Sequence, residues 1–336
     1  MIRQAVLLVG GRGTRVWPLT HSMPKGLLPV AGVPFIELQF RLLAEVGVEE
    51  VILAVGTHHE AAWREYAAAV DSPDIVVSVE ETPLDTAGPV RAVHQQLDER
   101  FLVLNGDVVL EGDLVGFVER APDAPAVLAL VRVEDTSAYG VVVTGQDGIV
   151  DRFVEKPPPG TAPTDTVNAG MYLMRRDVIE RYPAGRLSFE RVVFPNLVES
   201  HELGAVTIEG EWLDIGTPGL LLATHDAVAA GRSRLVHFPD DSARPWVHVE
   251  PGAVVEQGAS VSEALIMEGA TIRAGASVHR AVIGRGATVE AGATVTGESI
   301  VGENATVGQD CEIDRGARIA PDAKLGPGSI TFSPPR

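Results

Sequence analysis

The feature that most constrains the fold is a six-residue periodicity in the C-terminal part of the chain. An aliphatic residue recurs every six positions, with two five-residue steps, and a small residue stands four positions after most of them. Neither an α-helix nor an ordinary strand keeps this period for so long. The coils of a parallel β-helix do, because each coil stacks its aliphatic side chains on the next. At three positions per coil, these fourteen residues predict four to five coils: Val249, Val255, Val261, Ile266, Ile272, Val278, Ile283, Val289, Val295, Val301, Val307, Ile313, Ile319 and Leu325.

The single cysteine, Cys311, occupies one of the small positions of this repeat, so we expect a buried structural thiol. One cysteine excludes an internal disulfide framework and fits a reducing cytoplasm. The net charge of −19 argues against a nucleic-acid polymer or an anionic membrane as a partner. No apolar run approaches the roughly 18 residues that a membrane span needs.

Before the repeats, strand-like and helix-like segments alternate along the chain. Strands are predicted at residues 5–9, 51–55, 75–79 and 101–104, and helices at 35–45, 60–69, 90–97 and 220–230. Later strands, whose direction stays open, are predicted at 127–133 and 140–143. This order predicts an α/β domain with a Rossmann-like, mostly parallel sheet covered by helices. We therefore divide the chain into an α/β domain (1–225), a connector (226–247) and a β-helix (248–330).

A glycine-rich segment follows the first predicted strand directly. It reads Gly10-Gly11-Arg12-Gly13-Thr14-Arg15, and Pro24-Lys25 comes shortly after it. Glycines let a backbone approach a ligand and point several N–H groups at phosphate oxygens. Arg15 and Lys25 add two cations. The segment is neither a Walker A loop nor a dinucleotide loop, and glycines alone would equally suit a tight turn with positive φ. With the two cations, it predicts a binding site for nucleotide phosphates.

Two aspartates are candidates for a metal site. Asp107 closes Asn105-Gly106-Asp107 after the strand predicted at 101–104, and Asp214 lies in a second turn-rich segment. Ligands of open α/β sheets bind beyond the carboxyl ends of the strands. Mg²⁺ takes one or two carboxylates together with phosphate oxygens. Asp107 and Asp214 are therefore candidate Mg²⁺ ligands that could complete one site, although a turn is the favoured interpretation of Asn-Gly-Asp taken alone.

Further candidates lie around a proline-rich loop. Glu155 and Lys156 precede that loop, where a surface ion pair is the alternative interpretation. Lys156 is one of only three lysines in a chain with 24 arginines, and a lysine is a compact charge for a phosphate. Tyr139-Gly140 and Asn168-Ala169-Gly170 supply polar groups and open backbone nearby in the predicted strands.

In their order along the chain, these segments resemble the sugar nucleotidyltransferase family, and within it the guanylyltransferases that act on mannose 1-phosphate. The family's loop, G-G-x-G-T-R-x-x-P-L-T followed by P-K, is matched over residues 10–30. Further matches are E-E-T-P-L-D-T-A-G at 80–88, N-G-D at 105–107, E-K-P at 155–157, N-A-G at 168–170 and D-I-G-T-P at 214–218. Many members carry a C-terminal left-handed β-helix, so the resemblance covers essentially the whole chain.

The resemblance implies a role for each matched residue. Arg15 would stabilise the leaving pyrophosphate, Lys25 would hold the α-phosphate, and Asp107 and Asp214 would bind Mg²⁺. Lys156 would bind the phosphate of the sugar 1-phosphate. The nucleotide would contact Gly10, Gly11, Gly13, Thr14, Glu80, Pro83, Asp85, Thr86 and Gly106, and the sugar would contact Tyr139, Gly140, Glu155, Asn168 and Gly170. The implied reaction is an in-line attack of a phosphate oxygen on the α-phosphorus of a nucleoside triphosphate.

Two positions depart from the family pattern. Gly26 stands where the family usually has proline, which puts the rigidity of the Lys25 loop in question. Asp85 stands where the family usually has glycine beside the base. We expect the carboxylate of Asp85, or that of Glu80, to accept hydrogen bonds from N1–H and N2–H₂ of guanine, which makes GTP the expected nucleotide.

Three alternatives stay open at this point. The sugar could be replaced by a carbocyclic pseudo-sugar such as valienol 1-phosphate. The chain could be a non-catalytic regulatory or assembly subunit of the same fold, although Arg15, Lys25, Asp107, Lys156 and Asp214 are all present. The β-helix could carry an acyltransferase activity, for which His279 is the one histidine firmly inside the repeat. We favour oligomer contact or effector binding for the β-helix, and expect a homo-oligomer.

Overall fold

The computed structural model describes residues 2–238 and 245–331, which form two compact units. The first unit holds the residues up to Arg12 together with Ile36–Trp212. The second holds Gly13–Phe35 and the residues from Leu213 onward. The glycine-rich segment is therefore shared, with Gly10 and Gly11 in the first unit and Gly13 in the second. The predicted boundaries at residues 225 and 247 follow sequence patterns and stay a prediction.

The four predicted α-helices begin and end close to their predicted positions, whereas the short helices at Leu114–Arg120, Arg176–Glu180 and Phe194–Glu199 were not predicted. The helix predicted at 90–97 is shorter, because residues 94–96 continue it as a 3₁₀ turn. The last helix begins with the signals expected of a helix start: Thr217 Oγ1 accepts a hydrogen bond from Leu220 N–H at 3.3 Å, and Pro218 takes the first position. The helices are α1 (Phe35–Ala44), α2 (Glu60–Ala69), α3 (Gly88–Val93), α4 (Leu114–Arg120), α5 (Arg176–Glu180), α6 (Phe194–Glu199) and α7 (Pro218–Ala229).

The strands before residue 215 include the ones that build the main sheet and two short pairs. They are β1 (Gln4–Leu8), β2 (Pro29–Val30), β3 (Val33–Pro34), β4 (Glu50–Gly56), β5 (Asp74–Glu80), β6 (Arg100–Asn105), β7 (Val108–Gly112), β8 (Ala126–Arg132), β9 (Gly140–Thr144), β10 (Val150–Glu155), β11 (Thr166–Arg175), β12 (Leu203–Thr207) and β13 (Gly210–Asp214).

The first unit is built on a nine-stranded sheet. Its centre is parallel, in the order β6-β1-β4-β5, and Val6 of β1 lies opposite Ile52 of β4 and Val103 of β6. Strand β11 pairs antiparallel with β6, β8 and β9, and β12 returns parallel to β8. The prediction of a mostly parallel, Rossmann-like sheet is thus confirmed. The direction of β8 and β9, which the sequence left open, is antiparallel to β11.

The core of this unit is rich in aromatic rings. Phe189 stacks on Phe194 with ring centroids 5.3 Å apart, and Tyr172 meets Phe194 edge-on at 5.1 Å. All three side chains are buried in the same cluster as the apolar residues of the central strands. Because large rings bury much apolar area, this cluster packs α6 and the turn that carries Phe189 against the sheet.

The second unit contains the β2–β3 hairpin, α7 and a stack of parallel strands. Strands in the stack pair with partners 17 or 18 residues later: Val254 lies opposite Thr271, Thr271 opposite Thr288, and Thr288 opposite Thr306. This confirms a C-terminal domain of parallel strands as in a β-helix, and its left hand stays a prediction. The strands are β14 (Val247–Val249), β15 (Val254–Val255), β16 (Ser260–Ile266), β17 (Thr271–Ile272), β18 (Ser277–Ile283), β19 (Thr288–Val289), β20 (Thr294–Val295), β21 (Ile300–Val301), β22 (Thr306–Val307), β23 (Glu312–Ile313) and β24 (Arg318–Ile319).

The five-residue steps of the sequence have a structural counterpart. Glu263 and Arg280 adopt a left-handed φ of 46° inside the long strands β16 and β18, so the chain turns there without a separate corner. The guanidinium of Arg280 forms ion pairs with Glu263, with Glu298 and with Asp226 of α7. The left-handed turns at Glu263 and Arg280 thus lie against α7.

The core of the repeat is made of small and aliphatic side chains. Val289 and Val295 are fully buried, as is Cys311, whose thiol is free. The prediction of a buried structural thiol is therefore confirmed. His279, which we had considered as a catalytic group, is an exposed side chain in β18, where its Nδ1 lies 2.8 Å from Ser262 Oγ. Within the described residues, no helix is both long enough and apolar enough to cross a membrane.

Candidate active site

The glycines in the first unit are explained only in part by protein packing. A Cβ on Gly10 would lie 2.7 Å from Glu80 Oε1 and 3.3 Å from Gly56 N, so a side chain at this position would displace the carboxylate of β5. A Cβ on Gly11 would meet no protein atom within 4 Å, and Gly11 is not among the glycines with positive φ. Neither a positive φ nor close packing therefore accounts for the glycine at position 11, and the open space leaves room for a ligand to approach the backbone there.

The remainder of the loop, in the second unit, is a 3₁₀ turn over Thr14–Val16. Gly13 precedes it at φ +60°, and its carbonyl oxygen accepts a hydrogen bond from Thr20 Oγ1 at 2.9 Å. Thr14 and Arg15 are exposed on this turn. The left-handed backbone at Gly13 directly precedes the turn that carries Arg15.

The structure brings Arg15 and Asp214 to the same point. A Cβ on Gly216 would lie 2.7 Å from Asp214 Oδ1 and 3.3 Å from Arg15 Nη2. The Asp214 side chain is held in this position, because its Oδ1 accepts the N–H of Gly216. The Asp-Ile-Gly turn and the loop arginine, which are 199 positions apart in the sequence, thus form one cluster in the second unit.

Lys25 starts a second 3₁₀ turn, Lys25–Leu27. Leu27 N–H donates to Pro24 O and Leu28 N–H donates to Lys25 O, each at 3.0 Å. These two hydrogen bonds order the turn around Gly26, so the missing proline does not leave the loop without local support.

Side-chain hydrogen bonds and an ion pair fix the segment at the end of β5, residues 80–86. Leu84 N–H donates to Glu80 Oε2 at 2.9 Å, and burial raises the pKa of Glu80. Asp85, at the position where the family usually has glycine, has a left-handed backbone with φ 68°. Its carboxylate is 3.4 Å from Arg186 Nε and accepts Thr86 N–H at 3.1 Å. Asp85 is therefore already engaged, whereas Glu80 Oε1 points at Gly10.

The segment also reaches the turn before α6. Thr86 Oγ1 donates to Glu190 Oε2 at 2.8 Å and accepts Phe189 N–H at 2.9 Å, while Pro83 lies in the exposed part of the segment. Arg186 and Glu190 were not predicted from the sequence. No local pattern marks them, because both act across about a hundred residues.

The turn that carries Asp107 is positioned by a buried glutamine. Gln39 of α1 is fully buried, and its Nε2 donates to Asn105 O at 2.7 Å and to Val108 O at 2.9 Å. Gly106 fits against β1, because a Cβ there would lie 2.8 Å from Leu8 O. Gln39 was missed at the sequence level, although a polar residue on the apolar face of a predicted helix is a signal that could have identified it.

Several predicted sugar-binding residues meet at the start of β11. Asn168 Nδ2 donates to Tyr172 Oη at 3.1 Å, and Asn168 Oδ1 accepts Gly170 N–H at 2.9 Å. Gly170 has φ +78°, and a Cβ there would lie 2.9 Å from Asn105 Nδ2. Burial raises the pKa of the Tyr172 phenol, so this hydroxyl serves as a neutral hydrogen-bonding group.

An aromatic pair lines the same region. Tyr139 and Trp212 lie edge to face with centroids 4.8 Å apart, and Trp212 Nε1 donates to Ala169 O at 3.2 Å. Trp212 precedes the matched D-I-G-T-P segment and was not singled out as a site residue. The ring pair and the Asn168–Gly170 turn together form a rigid wall of the first unit.

Lys156 holds an unusual backbone conformation next to this wall. Its φ is 48°, a left-handed value that costs free energy in a residue other than glycine, and its N–H donates to Tyr139 O at 3.0 Å. Its Nζ is 3.6 Å from Glu155 Oε1, and burial raises the pKa of Glu155. Gly140 lies opposite Glu155, since a Cβ there would be 3.0 Å from Glu155 Oε2. Strained backbone of this kind is common at ligand sites.

The predicted residues thus form local groups within each unit. In the first unit, Glu80 meets Gly10, and Tyr139 meets Lys156. In the second unit, Arg15 meets Asp214. Within residues 2–238 and 245–331, no group of three or more histidine, cysteine, aspartate or glutamate side chains could hold a metal ion. The Mg²⁺ prediction names only two carboxylates and stays a prediction.

The chain matches two protein families. Residues 4–231 match Nucleotidyl transferase, and residues 239–327 match the GMPPB C-terminal domain. Over 96% of this chain and 92% of the relative's length, it is 34% identical to a probable mannose-1-phosphate guanylyltransferase 2 of Oryza sativa subsp. japonica.

Other relatives match about two thirds of this chain. The mannose-1-phosphate guanylyltransferase catalytic subunit beta of Drosophila pseudoobscura pseudoobscura is 36% identical over 64% of this chain, and the chain spans 59% of that protein's length. Among solved structures, HddC from Yersinia pseudotuberculosis complexed with GMP-PN matches with a TM-score of 0.58 and 26% identity. That match covers 67% of this chain and 99% of HddC.

Proposed function

The chain belongs to the nucleotidyl transferase family, and on that premise we propose that it is a guanylyltransferase for mannose 1-phosphate. It would transfer GMP from GTP and release pyrophosphate. The observation that carries the proposal is the similarity over 96% of the chain to a relative named as a probable mannose-1-phosphate guanylyltransferase. The open backbone at Gly11, where a Cβ would meet no protein atom within 4 Å, is compatible with close approach of a phosphate.

The proposed chemistry needs no general base. An oxygen of the sugar phosphate, already ionised at neutral pH, attacks the α-phosphorus of GTP. The new P–O bond forms as the bond from the α-phosphorus to the bridging oxygen breaks, and the electron pair leaves with pyrophosphate. Arg15 and Lys25 would neutralise the charge that develops on the phosphates. Catalysis would therefore consist of positioning and electrostatic stabilisation.

We propose Glu80 rather than Asp85 as the residue that reads guanine. Asp85 is engaged by Arg186 and by Thr86 N–H, whereas Glu80 keeps one carboxylate oxygen beside Gly10. Guanine offers a pair of donors, N1–H and N2–H₂, that a carboxylate accepts. The complex of HddC with GMP-PN is consistent with guanine binding in a related fold.

Asp107 and Asp214 would hold Mg²⁺. Both supply the hard carboxylate oxygens that this ion prefers, and the Gly216 N–H holds the Asp214 carboxylate in place through Oδ1. The ion, when bound, would offset negative charge on the phosphates. On the sugar side, Lys156 would bind the phosphate, while Asn168, Glu155 and Tyr139 would contact the hydroxyl groups.

A substrate panel tests the proposal. Pyrophosphate release is measured for GTP, ATP, UTP and dTTP, each with mannose 1-phosphate, glucose 1-phosphate and valienol 1-phosphate. We expect GTP with mannose 1-phosphate to give the highest kcat/KM. A preference for valienol 1-phosphate would identify a pseudo-sugar phosphate, and not a sugar phosphate, as the substrate. No turnover with any pair would favour a regulatory or assembly subunit.

Matched lysine variants separate a catalytic role from a general charge effect. Lys25→Ala should lower kcat by roughly 10²- to 10³-fold if it stabilises the transition state. Lys324→Ala, on an exposed turn of the repeat, removes the same charge and should leave turnover unchanged. Equal losses in the two variants would contradict the role of Lys25.

We also propose that the chain acts as a homo-oligomer in the cytoplasm. The single buried thiol and the strongly negative net charge of −19 suit that compartment. Light scattering of the purified protein would give the assembly size, and a mass equal to one chain would contradict the proposal.

A further inference from the structure

An arginine of the repeat region binds the backbone of the glycine-rich loop. Arg318 of β24 donates from Nη1 to Trp17 O at 2.9 Å and to Arg15 O at 3.1 Å. Its Nε donates to Gly316 O at 3.2 Å, which fixes the side chain to its own coil. All three hydrogen bonds end on carbonyl oxygens and not on a carboxylate, so the guanidinium is used as a multiple donor in a fixed geometry.

The two loop carbonyls belong to the turn that presents Arg15. Inside this turn, Val16 N–H donates to Gly13 O at 3.0 Å, and Trp17 N–H reaches Thr14 O only at 3.4 Å. A three-residue turn with one good and one long internal hydrogen bond has little stability of its own. Charge-assisted donors outside the turn are therefore well placed to fix its conformation.

A second contact lies a few residues further along the loop. Ser22 Oγ donates to Glu303, which follows β21. Strand β21 pairs directly with β24, with Ile300 opposite Arg318, so Glu303 and Arg318 come from neighbouring strands of one face of the repeat. This face supports the loop at both ends of the segment from residue 15 to residue 22.

Arg15 has contacts at both its side chain and its backbone. Its guanidinium approaches Gly216 in the Asp214 turn, while its carbonyl accepts from Arg318. We propose that Arg318 is a positioning residue: through the carbonyls of Arg15 and Trp17, it holds the catalytic loop so that the Arg15 guanidinium faces the phosphates. The inference rests on the proposed function for the role of Arg15, and it assigns the repeat domain a part in catalysis.

The main variant is Arg318→Met, which keeps most of the side-chain length and removes the donors. We expect kcat with GTP and mannose 1-phosphate to fall roughly 10- to 100-fold, as for a small misplacement of a catalytic group. KM for mannose 1-phosphate should stay nearly constant, and Arg318→Lys should restore part of kcat. Arg273→Met is the matched control, because this exposed arginine of the repeat pairs with Glu256 and not with the loop.

A double-mutant cycle separates positioning from general damage to the repeat. In an Arg15→Ala background, Arg318→Met should cause no further loss of kcat, because its effect passes through Arg15. An equal loss in both backgrounds would overturn the inference.

Hydrogen–deuterium exchange of residues 13–22 gives a readout that does not depend on activity. Exchange there should speed up in Arg318→Met and not in Arg273→Met, and unchanged exchange would overturn the inference. If the wild-type protein shows no turnover on the substrate panel, the proposed function fails, and the exchange data still decide whether Arg318 orders the loop.

Discussion

The cores of the two units are built on different principles. Under the nine-stranded sheet, aromatic rings of Tyr172, Phe189 and Phe194 interlock with side chains from many elements. In the repeat, alanine, valine and isoleucine stack on their equivalents one coil away. The first core is irregular and lies directly under candidate site residues, since the Tyr172 hydroxyl accepts a hydrogen bond from Asn168. The second is uniform, and its proposed link to catalysis passes through a surface arginine.

The largest effect is expected where the aromatic core is broken. Phe189→Ala should lower the free energy of unfolding by about 3–5 kcal/mol, because a buried ring leaves a cavity between Tyr172 and Phe194. Phe189→Leu should cost clearly less. Chemical denaturation measures both. A loss no larger than that of a conservative aliphatic substitution would mean that the aromatic cluster is not the main support of this unit.

A buried histidine cluster provides the next effect, through pH. His225 of α7 is fully buried and stacks on Trp246, with ring centroids 4.8 Å apart. Its Nδ1–H donates to Leu221 O at 2.9 Å, and its Nε2 accepts the Ala31 N–H at 3.4 Å. Burial lowers the pKa of His225 to about 4, with His248 adding a smaller contribution in the same direction. In the unfolded chain the His225 side chain binds a proton near pH 6.5, whereas in the folded chain it binds one only near pH 4.

The contribution of His225 to stability should therefore be constant above about pH 6.5 and fall by about 3 kcal/mol as the pH drops toward 4. Denaturation midpoints between pH 4 and pH 8 measure this. His225→Gln should flatten the slope, and His21→Gln, an exposed histidine on the loop, is the control. An unchanged slope in His225→Gln would show that other groups cause the acid sensitivity.

A third prediction tests whether the repeat core is as uniform as its sequence. Val255 and Val289 both pair with Ile272, on its two sides, but Val289 is fully buried and Val255 is 37% exposed in the first coil. Val289→Ala should cost about 2 kcal/mol and Val255→Ala less than about 0.5 kcal/mol. Thermal or chemical unfolding distinguishes them, and equal costs would mean that the first coil is packed against something else in solution.

A smaller effect on stability than that of Val289→Ala, with a larger one on activity, is expected at Gln39. Gln39→Leu removes two hydrogen bonds to the Asp107 turn, but it also removes a buried oxygen, Oε1, that has no partner. These changes partly cancel, so the free energy of unfolding should fall by only about 1 kcal/mol. The rate of GMP transfer should fall more, because the turn carries Asp107. A proportional loss of both would assign Gln39 to the fold and not to the site.

The two regions also differ in how far the sequence could predict them. The repeat follows from spacing alone, since each aliphatic position predicts its neighbour one coil later. Even so, the left-handed turns at Glu263 and Arg280 inside long strands could not be read from the five-residue steps. Helix α2 was predicted at its observed bounds, because its apolar pattern and its flanking residues are local signals.

The contacts around the candidate site depend on long-range pairing. The motifs identified Arg15, Lys156 and Asp214 as candidates, but nothing in them shows that Asp85 would be engaged by Arg186. Nor does any local pattern connect Arg318 to a carbonyl 303 positions earlier. Such contacts are set by the packing of whole elements, which composition and periodicity do not encode.

The burial of Cys311 has a practical consequence. It is the only thiol in the chain and has no exposed surface. A thiol-reactive dye can therefore attach only to molecules whose last coils have come apart. The speed of labelling counts these openings without an engineered tag, and would show whether nucleotide bound at the loop slows the fraying of the repeat.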